Sequence, residues 1–428
     1  MTAQELSETF DTVAFNQAQR GGKSKPGAVT ARPERVGSAS QRAADGFSVP
    51  EPDEGKRWMD GARGPEHVET VIIGGGQAGL STGYHLARRG LPFVILDANE
   101  RIGDAWRKRW DSLRLFTPAR LDGLPGWPFP APAWSFPTKD EVADYLETYA
   151  ARFDLPVRTG VHVDGLSREA DRYVVAAGDR RFEADRVVVA SGAYQRPRVP
   201  AFAAELDPGL VQLHSSEYRD PSQLQEGGVL VVGAANSGAE IALEVSRDHR
   251  TWLSGRHPGQ EPARPGGRWD RVLTPAIWFA ASHVLTVRTP IGRKVRQTFH
   301  SRGIPLARVR PKDITAAGIE RVPRTAGTRG GLPVLDDGRD LEATNVIWCT
   351  GFEPDFAWID LPVFADDGDP VHDRGIVGSE PGLYFVGLFF LYALASSLVG
   401  GVGRDAKHIV RHIASSRQNG RPAGLARA

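Results

Sequence analysis

Two six-residue turns, Gly74–Gly79 and Gly233–Gly238, recur in the same local order, and this repeat constrains the chain more than anything else in it. In the first, an apolar strand over Val71–Ile73 runs into the turn. A helix through Leu80, Tyr84 and Leu86 follows and ends at Gly90, and a second strand covers Phe93–Leu96. In the second, Val229–Val232 is the strand, Ala239–Val245 the helix and Thr251–Leu253 the next strand. Strand, glycine turn, helix and strand within about thirty residues is the βαβ unit of a parallel sheet. Two such units predict an α/β chain with two Rossmann-like dinucleotide-binding domains.

The first turn, Gly74-Gly75-Gly76-Gln77-Ala78-Gly79, is a full G-x-G-x-x-G. Gly74 permits the tight turn, Gly76 lets backbone approach a pyrophosphate, and Gly79 lets the helix pack on the strand. The helix start offers free N–H groups to phosphate oxygens. Asp97 stands at the end of the next strand, where a carboxylate accepts ribose hydroxyls. The second turn, Gly233-Ala234-Ala235-Asn236-Ser237-Gly238, has Ala235 where the middle glycine belongs. The offset that leads from Gly74 to Asp97 leads from Gly233 to Arg256, with Ser254 nearby and no carboxylate. An acid repels a ribose 2′-phosphate and an arginine binds one. The pair fits FAD in the first cradle and NADPH in the second, with Arg256 as an ordinary surface charge the alternative.

A hydrolase reading fails on context. Gly79-Leu80-Ser81-Thr82-Gly83 matches G-x-S-x-G as a string, but Ser81 falls inside the helix and the turn is already taken by Gly74–Gly79. The lone Cys349 excludes an intrachain disulfide, a redox cysteine pair and sites built on several thiolates. With 53 basic and 52 acidic side chains, the net charge of +1 argues for neither nucleic acid nor an anionic membrane as partner. The N-terminus shows no charged start followed by an apolar core, so a cytoplasmic protein is expected. Leu383–Gly400 is uncharged and nearly long enough to span a bilayer; its glycines favour a buried strand over Leu383–Val386 followed by turns.

Further segments carry a resemblance. Gly103-Asp104-Ala105-Trp106 is a G-x-x-W element, and Val161-His162-Val163 reads as a short strand. Ala190-Ser191-Gly192 with Pro197, Cys349-Thr350-Gly351-Phe352, and Pro381 to Gly387 complete an ordered set, followed by Gly400–Ala406 leading into a last helix. Together with the two cradles these resemble the two-dinucleotide-domain flavoprotein monooxygenases: the flavin-containing monooxygenases, the plant YUCCA type and their bacterial relatives. The resemblance covers residues 68 to 415.

It implies that the NADPH domain is inserted into the FAD domain. A flexible tail over 1–65 is expected, then an FAD-binding domain over 66–197 and 341–428, with the NADPH-binding domain over 198–340. It further implies that Trp106 and Gly387 lie beside the flavin, that the Val163 backbone meets the adenine, and that Gly192 sits in the hinge. The cofactor set is then Gly74, Gly76, Gln77, Ala78, Gly79, Asp97, Trp106, Val163, Gly192 and Gly387 for FAD, and Gly233, Asn236, Ser237, Gly238, Ser254 and Arg256 for NADPH. Asn236, Thr117 and His214 are candidates for the cofactor interface. No catalytic side chain and no metal site is implied.

The family's F-x-G-x-x-x-H-x-x-x-[FWY] fingerprint is half present: His214 and Tyr218 are in register, but Pro208 replaces Phe and Leu210 replaces Gly. The activity implied is an NADPH-consuming, FAD-dependent monooxygenation through a flavin hydroperoxide, with oxygen passed to nitrogen, sulfur or carbon of a small organic substrate. A flavoprotein reductase or oxidase without oxygen insertion, and a non-catalytic redox sensor, are the alternatives. Substrate choice is expected in Arg114–Phe136 and in the interruption over 258–310. There the apolar stretch Pro275–Leu285, with Ile277, Trp278, Phe279 and Val284, is a core helix, a substrate entry or a membrane contact.

Overall fold

The computed structural model describes residues 65–261, 267, 270–302 and 305–419. The tail expected over 1–65 therefore lies outside the described residues, apart from Pro65.

Residues of the first repeat form β1 (Glu66–Ile73), α1 (Gln77–Ala87) and β2 (Val94–Leu96), close to the expected bounds. The short helix α2 (Asp104–Arg107) carries the G-x-x-W element, and α3 (Lys139–Arg152) opens on a reciprocal cap between Thr138 and Glu141. Strands β3 (Val157–Arg158), β4 (Gly165–Glu169), β5 (Arg172–Ala177) and β6 (Arg180–Val189) follow. They assemble in the order β3-β2-β1-β6-β5-β4, and β16 (Leu383–Phe385) adds to the far end of β6. β1, β2, β3, β6 and β16 run parallel, whereas β4, β5 and β6 form an antiparallel meander.

Side chains alternate across this sheet, as the period of two requires. Ile72, Ile95, Val188 and Tyr384 face α1, α3 and the last helix, α8 (Val402–Asn419). Val71, Ile73, Val94, Leu96, Val187, Val189, Leu383 and Phe385 face the other way, onto Phe356, Ile359 and Val363. Burial on both faces is why these strands read as continuous apolar runs in sequence. The uncharged stretch from Leu383 resolves into β16 and the turns after it, and no described helix is long and apolar enough to cross a membrane.

Between β6 and β16 the chain leaves the first sheet and builds a second. The outward crossing contains β7 (Arg196–Pro197). Next come β8 (Val211–His214), β9 (Val229–Val232), α4 (Asn236–Val245) and β10 (Thr251–Ser254). After these the chain forms α5 (Asp270–Phe279), α6 (Pro290–Arg302) and α7 (Pro311–Ala316). β11 (Glu320–Val322), the hairpin β12 (Thr325–Arg329) with β13 (Leu332–Leu335), and β14 (Asn345–Trp348) follow, and β15 (Phe352–Glu353) lies in the return crossing. The second sheet is fully parallel in the order β11-β10-β9-β14-β8. The fold is thus two Rossmann-type modules, one inserted into the other.

The return to the first module comes later than residue 341. β14 pairs with β9 and β8 in the second sheet, so the crossing lies at Cys349–Glu353, where β15 pairs antiparallel with β7. Two segments also differ in kind from expectation. Val161–Val163 is not a strand: the β2–β3 ladder ends at Arg158, and only single bonds such as Val161 N–H to the Asp97 carbonyl (2.9 Å) continue it. Pro275–Leu285 is not a core helix. The helix starts earlier, at Asp270, passes through Pro275, becomes π-helical over Ala280–Val284, and leaves Phe279 60% exposed.

Candidate functional site: two matched nucleotide cradles

The two turns have the same construction. Gly74 has φ +108° and Gly233 φ +110°, and each turns against a carbonyl at the end of the neighbouring parallel strand. A Cβ on Gly74 would meet the Ala190 oxygen at 2.6 Å, and one on Gly233 the Cys349 oxygen at 2.2 Å. The third glycine packs each helix onto its turn: a Cβ on Gly79 would sit 1.9 Å from the Gly74 oxygen, and one on Gly238 1.7 Å from the Gly233 oxygen. Side chains are excluded at these four positions by contact with backbone, which cannot move aside.

Gly76 is different. Nothing lies within 4 Å of the Cβ it lacks, and its φ of −77° is open to any residue. Ala235 occupies the same place in the second turn with φ −79° and the same extended ψ. The imperfect glycine match therefore leaves the backbone unchanged and only narrows the space over the helix start. That open space beside the N-termini of α1 and α4 fits a pyrophosphate, since the helix N-cap residues offer no side-chain cap of their own. Gln77 and Ser237 follow as the first-turn residues, half-buried, with Ala78 buried behind Gln77.

At the ribose end the cradles diverge. Asp97 is nearly buried, and its carboxylate is fixed by three donors. Oδ2 accepts from Gly75 N–H at 2.5 Å, and Oδ1 accepts from Asn99 N–H at 2.8 Å and Asn99 Nδ2 at 2.9 Å. Its counterpart in the second module is Gly255, one residue before Arg256. Ile73 pairs with Leu96 and Val232 with Ser254, and Gly74 and Gly233 donate to the carbonyls of Leu96 and Ser254. The connection from Gly233 is one position shorter than that from Gly74, so the offset that finds Asp97 overshoots. Gly255 puts no side chain beside Ala234 N–H, and Arg256 follows it, exposed and with no ion pair among the described residues.

The side chains of Ser254 and Asn236 are engaged within the protein. The Ser254 hydroxyl is fully buried, lies 2.8 Å from Thr325 Oγ1, donates to the Pro323 carbonyl and accepts from Thr325 N–H. It ties β10 to β12 and has no face toward a phosphate. The Asn236 amide clamps the 305–307 segment, donating to Pro305 O at 3.1 Å and accepting from Ala307 N–H at 3.0 Å. Arg321, which sequence reasoning missed, reaches the Gly255 carbonyl from β11 at 2.7 Å, and burial lowers its pKa. The basic groups at this corner are thus Arg256 and Arg321. Only the parallel pairing of β10 with β11 brings Arg321 there, and the long insertion between those strands hides that from sequence.

On the flavin side expected for the first cradle, Gly387 follows β16 with φ +82°, and a Cβ there would strike the Ala78 Cβ at 2.7 Å. Gly192, after β6, has φ +80° and open space. Trp106 is half-buried and packs against the apolar cores of both modules. The next residues go further: Trp110 and Leu113 are buried in the core of the second module. Val163 is buried against the first sheet, which leaves its backbone as the part available to a ligand. Thr117 donates to Asp122 Oδ1 at 2.6 Å. Asp122 is wholly buried, its other oxygen has no hydrogen-bond partner, and burial pushes its carboxyl up to about 7. No sequence signal separated Asp122 from a loop aspartate.

His214 is buried at the end of β8. Its Nε2 lies 3.0 Å from the Gly351 carbonyl and its Nδ1 2.8 Å from Ser216 Oγ, and burial lowers its pKa. Tyr218, the other fingerprint residue, is fully buried and donates to Glu244 Oε2 of α4. Tyr218 thus ties the chain after β8 to α4, and His214 ties the end of β8 to the return crossing. Among the described residues no cluster of His, Cys, Asp or Glu could hold a metal.

Known proteins share this architecture. The profile of the pyridine nucleotide-disulphide oxidoreductase family matches residues 71–266. An uncharacterised CzcO-like oxidoreductase of Geobacillus kaustophilus is 40% identical over 352 residues, covering 81% of this chain and 98% of the relative. A probable indole-3-pyruvate monooxygenase of Arabidopsis thaliana, YUCCA3, is 30% identical, with 74% and 81% covered. Among solved structures, a flavin-containing monooxygenase from Stenotrophomonas maltophilia aligns with a TM-score of 0.66 at 31% identity, over 82% of this chain and 99% of its own.

Proposed function

The chain belongs to the flavin-containing monooxygenase-type family of flavoprotein oxidoreductases, and from that premise we propose that it is an FAD-dependent, NADPH-consuming monooxygenase of a small organic substrate. The observation that carries this reading is the contrast between two cradles of one geometry. Where Asp97 meets Gly75 in the first, Gly255 and two arginines stand in the second. The carboxylate of Asp97 keeps acceptor capacity for ribose hydroxyls beyond its three internal donors. Arg256 and Arg321 present guanidinium donors to a 2′-phosphate, which a carboxylate at Gly255 would repel.

Bound flavin would supply hydride acceptance and oxygen activation, chemistry that no side chain here provides. The protein's own part is placement. Gly76 admits the pyrophosphate to the α1 N-terminus, and Asp97 fixes the ribose. Gly387 lets the chain after β16 come down onto Ala78, so that chain is packed closely over the cradle. Trp106 bridges the two modules and shields the space between them from water. Substrate and molecular oxygen are the remaining partners. The aryl 2-oxo acid named for the plant relatives is the first substrate to try, followed by amines and thioethers. The lone Cys349, buried, with its thiol pushed up to about 12, suits a cytoplasmic protein that forms no disulfide.

Pro208 and Leu210, in place of the fingerprint's Phe and Gly, favour a second reading: a flavoprotein that spends NADPH without inserting oxygen. One experiment separates the two. The purified, FAD-loaded protein is reduced by NADPH and by NADH without oxygen, then mixed with oxygen and candidate substrates while oxygen uptake, peroxide and product are quantified. Bleaching by NADPH in preference to NADH, with product formed in proportion to oxygen consumed, supports the monooxygenase. Rapid NADPH oxidation that yields only peroxide or a reduced acceptor supports the second reading. Absence of bleaching overturns both.

A further inference from the structure

Seven large apolar side chains stand exposed among the described residues, and four of them, Val272, Leu273, Phe279 and Val284, fall within one short stretch of the insertion. Along α5 the positions Val272, Ala276 and Phe279, then His283 in the π-helical turn, recur at steps of four, three and four residues and so share one face. Val272 is 63% and Phe279 60% exposed, and the Phe279 and His283 rings stack at 4.8 Å. The end of the π-helical turn and the chain after it are anchored. Leu394 N–H donates to the Leu285 carbonyl, Val287 N–H to the Tyr392 carbonyl, and Arg404 of α8 to the Ser282 carbonyl. The exposed stripe thus runs into an element fixed to the chain that follows Gly387.

The same insertion concentrates charge. Residues 264–302 hold eight arginines and lysines and one acid, Asp270, a net of +7 in a chain whose total is +1. Arg271, next to Val272, and Arg288, Arg293 and Lys294, which follow the π-helical turn, are exposed. The near-neutral total, which by itself argues against an anionic membrane partner, conceals this separation. Two copies meeting through this stretch would bring the exposed Arg271, Arg288, Arg293 and Lys294 of one against those of the other. A surface that is apolar below and anionic above satisfies both features at once.

We propose that α5 and its π-helical continuation lie on anionic phospholipid bilayers, with Val272, Leu273 and Phe279 entering the acyl boundary and the flanking arginines meeting the headgroups. The docking does not depend on what the protein oxidises. It places the turns after Gly387, the expected flavin side of the first cradle, next to the lipid.

The test is co-sedimentation of the full chain with vesicles of phosphatidylcholine alone and of phosphatidylcholine with phosphatidylglycerol, at low and high salt. The variants are Val272→Ser with Phe279→Ser, and Arg271→Gln with Arg288→Gln. Circular dichroism and gel filtration of every protein accompany the sedimentation. The expected result is binding to the anionic vesicles that weakens with salt. The serine pair should lose binding about tenfold or more, and the glutamine pair about fivefold per charge removed, with folds unchanged. Two results overturn the proposal: no binding to anionic vesicles, or binding that both pairs leave intact. A dimer that the serine pair converts to monomer, without vesicle binding, overturns it too and assigns the stripe to a second copy.

Discussion

The Nε2 nitrogen of His214 lies 3.0 Å from the Gly351 carbonyl, and so joins the last residue of a strand in the second sheet to the chain as it returns to the first. Nδ1 receives Ser216 N–H at 3.2 Å, which fixes Nε2–H as the donor to Gly351 in a neutral ring. Burial favours that neutral form. The ring also meets Phe352 edge-on at 4.9 Å. His214→Ala would strand the Gly351 oxygen and is expected to cost about 1–3 kcal/mol, read from the midpoint of denaturant unfolding. Its flavin content should stay that of the unaltered protein, since His214 touches neither cradle.

Glycine substitutions should separate folding from cofactor retention. Gly79→Ala and Gly238→Ala would place a Cβ 1.9 and 1.7 Å from a backbone oxygen and are expected to unfold the local βαβ unit. Gly76→Ala meets open space and takes a backbone that Ala235 already adopts, so thermal stability should hold. The added methyl should instead lower the bound flavin per protein after dialysis.

Coenzyme choice should follow Arg256 and Arg321 and ignore Ser254. Removing either arginine is expected to raise KM for NADPH by about tenfold or more, the worth of one charge-assisted contact, and to leave KM for NADH unchanged. Ser254→Ala should leave the NADPH-to-NADH ratio alone and cost about 1–3 kcal/mol of stability, because Thr325 N–H loses its acceptor. Steady-state kinetics with both coenzymes and thermal unfolding check the pair.

Acid should destabilise the protein through His85. Burial against α8 lowers its pKa to about 4, while its ring nitrogen donates to the Gly403 carbonyl. The unfolded chain takes up a proton near pH 6.5 that the folded ring refuses until about pH 4. Stability is therefore full above that window, falls as pH falls through it, and then levels, a loss of about 3 kcal/mol. His85→Gln should flatten that part of the stability profile.

Alkali should act in the opposite sense through Asp122. Its carboxyl is raised to about 7 by burial, so its contribution is present at low pH and is lost as pH rises from about 4 to about 7. Asp122→Asn keeps an acceptor for the Thr117 hydroxyl and removes the buried charge. It should be more stable than the parent by a few kcal/mol at pH 8, roughly 4 at most, with no gain at pH 4. Urea unfolding at the two pH values measures the difference.

Both βαβ units were legible in sequence because local signals coincided: apolar strands buried on both faces, glycines demanded by backbone contact and, in the first unit, a carboxylate at a strand end. Register was not. The offset that places Asp97 reaches Arg256 in the second unit, yet strand pairing places Gly255 there, because a shorter connection leaves no mark in residue identity. The directions of Ser254 and Asn236 were hidden for the same kind of reason. Their partners, Thr325 and Pro305–Ala307, lie on a distant stretch of the chain and are chosen by packing. Arg321 and Asp122 owe their character to neighbours that only the folded chain assembles. The insertion's apolar stripe was read as a segment, but its outward face depends on which side the Tyr392–Leu394 turn covers.

The nesting of one sheet within the other also sets an order of assembly. All five strands of the second sheet lie between Val211 and Trp348, so that sheet can close while later residues are still being made. The first sheet has six of its strands before the insertion, but not its seventh. Val187 waits for Leu383 across the whole of the inserted module, and α1 waits for α8. Meanwhile Trp110 and Leu113, synthesised early, are claimed by the later core. Topology thus lets the inner module close with two borrowed side chains before the first sheet gains β16, so the cradle that is first in sequence receives its last strand after the second is complete.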